Sequence, residues 1–165
     1  METGREDQGP GSLTRLAWVC RELNKTGSKY FVIGGAACAL HGHVRATRDI
    51  DILIEATLDN ARCVLAALEG VGWGFAKEWL AEEIVARPIT IIGDDPRVDI
   101  FTVAWSVRYG PALPRSSVVD VEGVPVPLIG IDDLIASKRT GRSIDTMDIE
   151  VLEEIGRLRG EEGHV

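Results

Sequence analysis

No stretch of the 165 residues has an apolar run near the roughly eighteen that a membrane span requires. The polar first residues hold no apolar stretch of the kind that forms a signal-peptide core. The expectation is a soluble cytoplasmic protein with no membrane partner. Cysteine is scarce: Cys20, Cys38 and Cys63 are odd in number and sit among apolar residues, which predicts free thiols in a reduced interior. Their spacing is too wide for a metal cluster. Histidine offers no alternative, because His41 and His43 lack further ligands at metal spacing, and His41 reads as a local hydrogen-bonding residue. Positive charge is also in short supply. Lys and Arg total 18 against 26 Asp and Glu, a net charge of −8. That balance argues against the broad basic surface of nonspecific nucleic-acid binding, while Arg45, Arg48, Arg139 and Arg142 leave room for a local basic patch. No internal repeat or second domain is visible, and the length suits one domain with a substantial core.

What the chain does have is concentrated in Phe31 to Glu55. An apolar run ends in Gly34-Gly35, thirteen residues follow, and a second run reads Asp49-Ile-Asp51-Ile-Leu-Ile-Glu55. Tyr30 to Ile33 is β-branched and aromatic, as a buried strand is. The glycines end it in a turn that no side chain obstructs. A short helix, Ala36 to His41, is expected next, its N-terminal N–H groups turned toward any phosphate. Alternation in the strand Ile50 to Ile54 places Asp49 and Asp51 on one face, about 7 Å apart at the backbone, within reach of a shared divalent cation. The other face is Ile50, Ile52 and Ile54. A charged edge strand is the competing reading.

Around this stretch the residues predict a disordered arm over Met1 to Ser12 and a single domain over residues 13–160. Ser12 is the expected cap of a helix that buries Leu13, Leu16, Ala17, Cys20 and Leu23. A further helix is predicted over Leu58 to Leu68, ended by Gly70, with Gly72-Trp73-Gly74 as a turn or edge strand. Trp79 to Val85 reads as a short helix or irregular crossing. Ile89 to Ile92 and Val98 to Val103 form a hairpin about Gly93-Asp94-Asp95-Pro96. Tyr109 to Pro114 is a proline-bounded loop. A second hairpin turns at Glu122-Gly123, its prolines Pro125 and Pro127 pointing to a sheet edge. Two helices close the chain, Asp132 to Arg139 and Thr146 to Leu158, the second with Val151, Leu152, Ile155 and Leu158 as its apolar face. The four tryptophans read as core or cleft wall.

Asp99, in Arg97-Val98-Asp99-Ile100-Phe101, shares a face with Phe101 and Val103. A carboxylate in line with apolar residues needs a cation or an arginine, Arg97 or Arg48 being nearest to hand. Lys138 follows Leu134 by four residues and so lies along the apolar side of its helix, either aimed at a phosphate or snorkelling to water. Asp145 is placed to cap the last helix, with Asp148 three residues on, and to orient Lys138 or Arg142.

Gly34-Gly35 followed by Asp49-x-Asp51 on the next strand resembles the signature of the polymerase-beta-like nucleotidyltransferase superfamily. His41-Gly42, Arg45, Thr47 and Arg48 between the two parts are most similar to its AbiEii-type branch, as is Asp133-Leu-Ile-Ala-Ser-Lys138 followed by Gly141-Arg142 and Asp145. The resemblance spans Phe31 to Leu152. It implies an α/β fold, a small mixed sheet flanked by helices, and transfer of a nucleoside monophosphate from an NTP to an acceptor hydroxyl. It implies two Mg²⁺ ions, or Mn²⁺ in their place, held by Asp49, Asp51 and Asp99, with Asp99 also accepting the hydroxyl proton. Gly34, Gly35, Arg45, Thr47, Arg48 and Lys138 are the expected nucleotide contacts. Many relatives carry serine where Gly35 stands, so phosphate contacts here fall to backbone N–H groups and arginines. The acceptor is open between tRNA, protein and small molecule, and the branch includes toxins that pair with an antitoxin protein. A nucleotide-binding regulator without turnover, or a protein-interaction module whose carboxylates pair with arginines, are the readings from other classes.

Overall fold

The computed structural model describes residues 11–72 and 74–162. Helix α1 (Ser12–Lys25) leads into β1 (Tyr30–Ile33), α2 (Gly34–Leu40) and β2 (Asp49–Ile54). Helix α3 (Leu58–Gly70), a 3₁₀ turn (Gly74–Glu78) and α4 (Ala81–Ala86) precede the hairpin β3 (Ile89–Ile92) and β4 (Arg97–Phe101). Helix α5 (Tyr109–Ala112), a 3₁₀ turn (Leu113–Arg115), the hairpin β5 (Ser117–Val121) and β6 (Val124–Leu128), and helices α6 (Ile131–Ser137) and α7 (Ser143–Glu162) complete the order.

The strands form one mixed six-stranded sheet, ordered β3-β4-β2-β1-β6-β5. Strand β1 runs antiparallel to β2 and β2 parallel to β4, in a register that lines up Ile33, Asp51 and Asp99. Ile91 of β3 continues that row. Alternation gives the opposite face to Tyr30, Val32, Ile50, Ile52, Val98 and Ile100, all buried. The Tyr30 hydroxyl donates to Asn24 Oδ1 at 2.8 Å, so α1 covers this apolar face, with α3 packed beside it. Such a layer is what a sheet with one continuous apolar side requires. The face carrying Asp51 is more open: Ile89 and Ile91 at its edge are 39% and 48% exposed.

The fold is the expected α/β type, and several local expectations are corrected. Gly11, not Ser12, occupies the α1 cap position, with no side-chain cap bond. Leu13 stays exposed, and Val19 joins Leu16, Ala17, Cys20 and Leu23 in the core. Gly34 and Gly35 are the first turn of α2, so strand passes into helix with no separate turn. The segment after β4 holds α5 and a 3₁₀ turn where a loop was expected, because Tyr109 is anchored by stacking on Phe31 with ring centroids 4.5 Å apart. Pro125 and Pro127 lie on β6, while the sheet edge is β5. A strand poor in N–H donors fits beside β1 because the two meet at one register pair, Val32 with Leu128. Helix α7 begins at Ser143. Of its expected apolar face Leu152 is buried, while Val151 and Leu158 are exposed. Asp145 and Asp148 point inward in their place. Trp18 and Trp105 are exposed, and Trp79 lies under the Arg87 guanidinium. Residues 1–10 of the expected arm and Trp73 lie outside the described residues.

Asn60 ties the α3 N-terminus to the sheet. Its amide accepts from Lys29 N–H at 2.7 Å and donates to the Lys29 and Glu55 carbonyls, both at 2.9 Å. Asn60→Ala leaves these buried groups without partners, and a loss of about 1–3 kcal/mol in urea unfolding is expected.

Candidate active site

Geometry at the β1–α2 junction follows from Gly34. Its φ is +66°, and a β-carbon there would fall 2.1 Å from Asp51 Oδ2. Only glycine lets the Asp51 carboxylate stand this close to the backbone. At Gly35 a β-carbon would lie 2.9 Å from Thr47 Cβ. Thr47 donates to the Asp49 carbonyl at 3.2 Å, so it fills the space that a serine at position 35 would claim.

Asp51 and Asp99 are register partners on parallel strands. Asp99 is 6% exposed, and Asp51 Oδ1 is buried without a hydrogen-bond partner. Burial, then the charges of Asp99 and Asp49, push the Asp51 carboxyl up to about 7, against an opposing pull from Lys138. Arg97 answers part of this charge. Its Nε and Nη2 fork onto the two Asp99 oxygens at 2.8 and 3.0 Å, while Asp49 stands 3.9 Å from the same guanidinium. Of the two cation partners considered for Asp99, Arg97 is therefore the one in contact. Among the described residues no group of three or more His, Cys, Asp or Glu side chains is arranged to hold a metal ion. Asp51 and Asp99 come together, and Asp49 faces Arg97 at the rim.

Lys138 closes the other side. It is buried at the C-cap of α6, with Nζ 2.9 Å from Asp148 Oδ2 and 3.7 Å from Asp145 Oδ1. Asp148, 1% exposed, also receives Arg45 Nη2 at 3.0 Å and pairs with His43 Nε2 at 2.9 Å. Burial pulls the Asp148 pKa upward, but the hydrogen bonds of Lys138 and His43 and the charges of Lys138 and Arg45 together hold it below the usual carboxylate value. Asp145 accepts from Thr140 and, at 2.7 Å, from Arg142 Nε. It sits in the first turn of α7, orienting Lys138 and Arg142. His41 Nε2 meets the Ile129 carbonyl at 2.7 Å while Arg159 reaches its other ring nitrogen, a hydrogen-bonding role inside the fold.

A pocket of about 250 Å³ opens above this row, lined among others by Gly34, Asp51, Trp105, Lys138, Arg142 and Asp145. Arg45, Thr47 and Arg48 line a separate groove beside α1 and α2. The structure thus joins Gly34, Asp51 and Lys138 at one pocket, with Asp99 and Asp49 beside Asp51, and separates Arg45, Thr47 and Arg48 from it. Sequence reasoning gave Asp148 only a capping part. Its spacing from Asp145, three residues on one helix face, was the available signal, but its partners come from residues 43, 45 and 138. Trp105 had no local signal beyond its ring.

A six-stranded mixed sheet with glycine-entered helix and carboxylates on neighbouring strands is the nucleotidyltransferase fold. Two solved structures share it. An antigenic nucleotidyltransferase-like protein from Paracoccidioides brasiliensis has a TM-score of 0.54 at 18% identity over 88% of this chain and 75% of that one. ANT(2")-Ia in complex with adenylyl-2"-tobramycin has a TM-score of 0.53 at 14% identity over 90% of this chain and 95% of that one. The chain belongs to the family described as "Nucleotidyl transferase of unknown function (DUF2204)", whose model matches residues 12–165. No curated protein sequence matches it.

Two outcomes are expected. Asp148→Asn strips Lys138 and Arg45 of a buried charged partner, and urea unfolding should show a loss of about 3–5 kcal/mol. Asp51 has a native pKa of about 7 against 3.8 as the ordinary value. Between these the folded protein holds the extra proton, so its contribution to stability is full below the lower value and is lost as pH rises through the upper one. Asp51→Asn should therefore be more stable than wild type at pH 8, by at least about 1 kcal/mol, and lose that advantage by about pH 4 in urea melts.

Proposed function

We propose that this protein transfers a nucleoside monophosphate from an NTP to an acceptor hydroxyl, using a divalent cation held by Asp51 and Asp99 with Asp49. The observation that carries the reading is the orphaned, buried Asp51 Oδ1 beside the Asp99 carboxylate. Arg97 meets the Asp99 charge, but Asp51 beside it has no protein counter-charge within hydrogen-bond reach, and a hard divalent cation with oxygen preference suits that position. When bound, Mg²⁺ or Mn²⁺ at these carboxylates would supply Lewis acidity toward the acceptor hydroxyl and offset negative charge on the departing pyrophosphate. Asp99 is the proton acceptor in this reading, and it has to leave the Arg97 fork to serve. Lys138 lines the pocket with three N–H donors, one of them taken by Asp148 with Asp145 standing near, so its ammonium is placed to meet a phosphate oxygen as well. Arg142, exposed beside it, adds a second positive charge. Gly34 keeps the approach to Asp51 free of side chains. The product is an acceptor carrying the nucleoside monophosphate.

For the acceptor, the acidic composition argues for a small molecule or a protein over tRNA. ANT(2")-Ia, bound to adenylyl-2"-tobramycin, illustrates a small-molecule acceptor on this fold. The AbiEii-type motifs add the reading of a cytoplasmic toxin held by an antitoxin protein. One observation favours a second reading. The Arg97 fork on Asp99 is what an idle nucleotide-binding regulator or interaction module would keep in a permanent salt bridge.

Thermal unfolding with each of the four NTPs, with and without Mg²⁺, separates them. Stabilisation requiring both NTP and metal, absent in Asp49→Asn/Asp51→Asn, is expected, at about 2.7 kcal/mol when ligand is a hundredfold above Kd. Pyrophosphate release would then distinguish turnover from binding. No shift with any nucleotide or metal would sink the enzyme reading.

A further inference from the structure

Beyond β4 the chain reverses at Trp105-Ser106, held by reciprocal backbone hydrogen bonds between Ala104 and Val107, both 2.9 Å. Trp105 is the first central residue of this two-residue reversal and has φ of +57°. Glycine ordinarily fills a positive-φ position in such a turn. A bulky aromatic there is strained, and strained residues cluster where a site needs them. The only other non-glycine residue with positive φ among the described residues is Glu122, which is followed by Gly123 in a plain hairpin turn. Trp105 gains no burial for its strain, since it is 64% exposed.

Its position gives the strain a purpose. Trp105 lines the same pocket as Gly34, Asp51, Lys138 and Arg142. Among the lining residues Lys138 and Arg142 bring positive charge, suited to phosphates, and Trp105 brings the largest ring. Asp99, the acceptor-side carboxylate of the proposed reaction, is not among the residues that line it. We propose that Trp105 is the stacking platform for the planar base of the donor nucleotide. This rests on the nucleotidyl-transfer reading of the site. An indole face stacks on any base, so the contact supplies affinity with little discrimination among the four NTPs.

The test measures binding of ATP, GTP, CTP, UTP and inorganic tripolyphosphate, each with Mg²⁺, by calorimetry and tryptophan fluorescence. Wild type, Trp105→Phe, Trp105→Ala and Trp105→Asn are compared. Trp105→Ala and Trp105→Asn are expected to weaken all four NTPs by about 5- to 100-fold, leave tripolyphosphate unchanged, and abolish most of the nucleotide-induced fluorescence change. Trp105→Phe should retain most of the affinity. Asparagine tolerates positive φ, so Trp105→Asn should match or exceed the wild-type Tm while binding more weakly. Unchanged NTP affinity in Trp105→Ala, or a markedly lower Tm in Trp105→Asn, overturns the stacking role and leaves the phosphate site standing. Failure of wild type to bind both NTP and tripolyphosphate overturns the nucleotide site itself, and the stacking role with it.

Discussion

The repulsion between Asp51 and Asp99 is the constraint to which the surrounding residues respond. Parallel pairing of β2 with β4 puts the two carboxylates side by side, and the apolar layer under the sheet withholds solvent from their backbone. Gly34 gives up a side chain so that Asp51 fits, Arg97 neutralises Asp99, and Asp51 keeps one oxygen with no protein partner. A fold that only sought stability would replace one carboxylate with an apolar residue. Retaining both makes sense if a cation and phosphate complete the charge balance.

Asp148 solves a second electrostatic problem. A lysine buried at a helix end is costly unless its charge is met, and Asp148 meets it while also holding His43 and Arg45. The loop between α2 and β2 is thereby fixed to α7. Arg45, expected from its motif to touch nucleotide, is committed to this internal contact. The same network holds Lys138 at the pocket without leaving it free to swing into solvent.

The sheet and its carboxylates were legible because strands announce themselves through period-two alternation, and Asp49, Asp51 and Asp99 interrupt apolar runs where a reason is demanded. Both hairpins and the α1 face were readable on the same grounds. What stayed hidden depends on the third dimension. The Asp148 cluster gathers residues more than a hundred positions apart, so no window along the chain contains it. The inward face of helix α7 begins with acids, so apolar periodicity points to Val151 and Leu158 in their place. Helix α5 was invisible because it is short and held by the Phe31–Tyr109 stack.

Helix α7 carries the aspartate that His43, Arg45 and Lys138 all share. Drift at any of the four positions therefore changes the fitness of substitutions at the other three. Exchanging the lysine for a neutral residue leaves the aspartate still paired with Arg45 and His43, whereas losing the aspartate leaves two cations in the interior without their shared partner. Three separate stretches of the chain thus share one charge balance, and a substitution in one alters the cost of a substitution in the others.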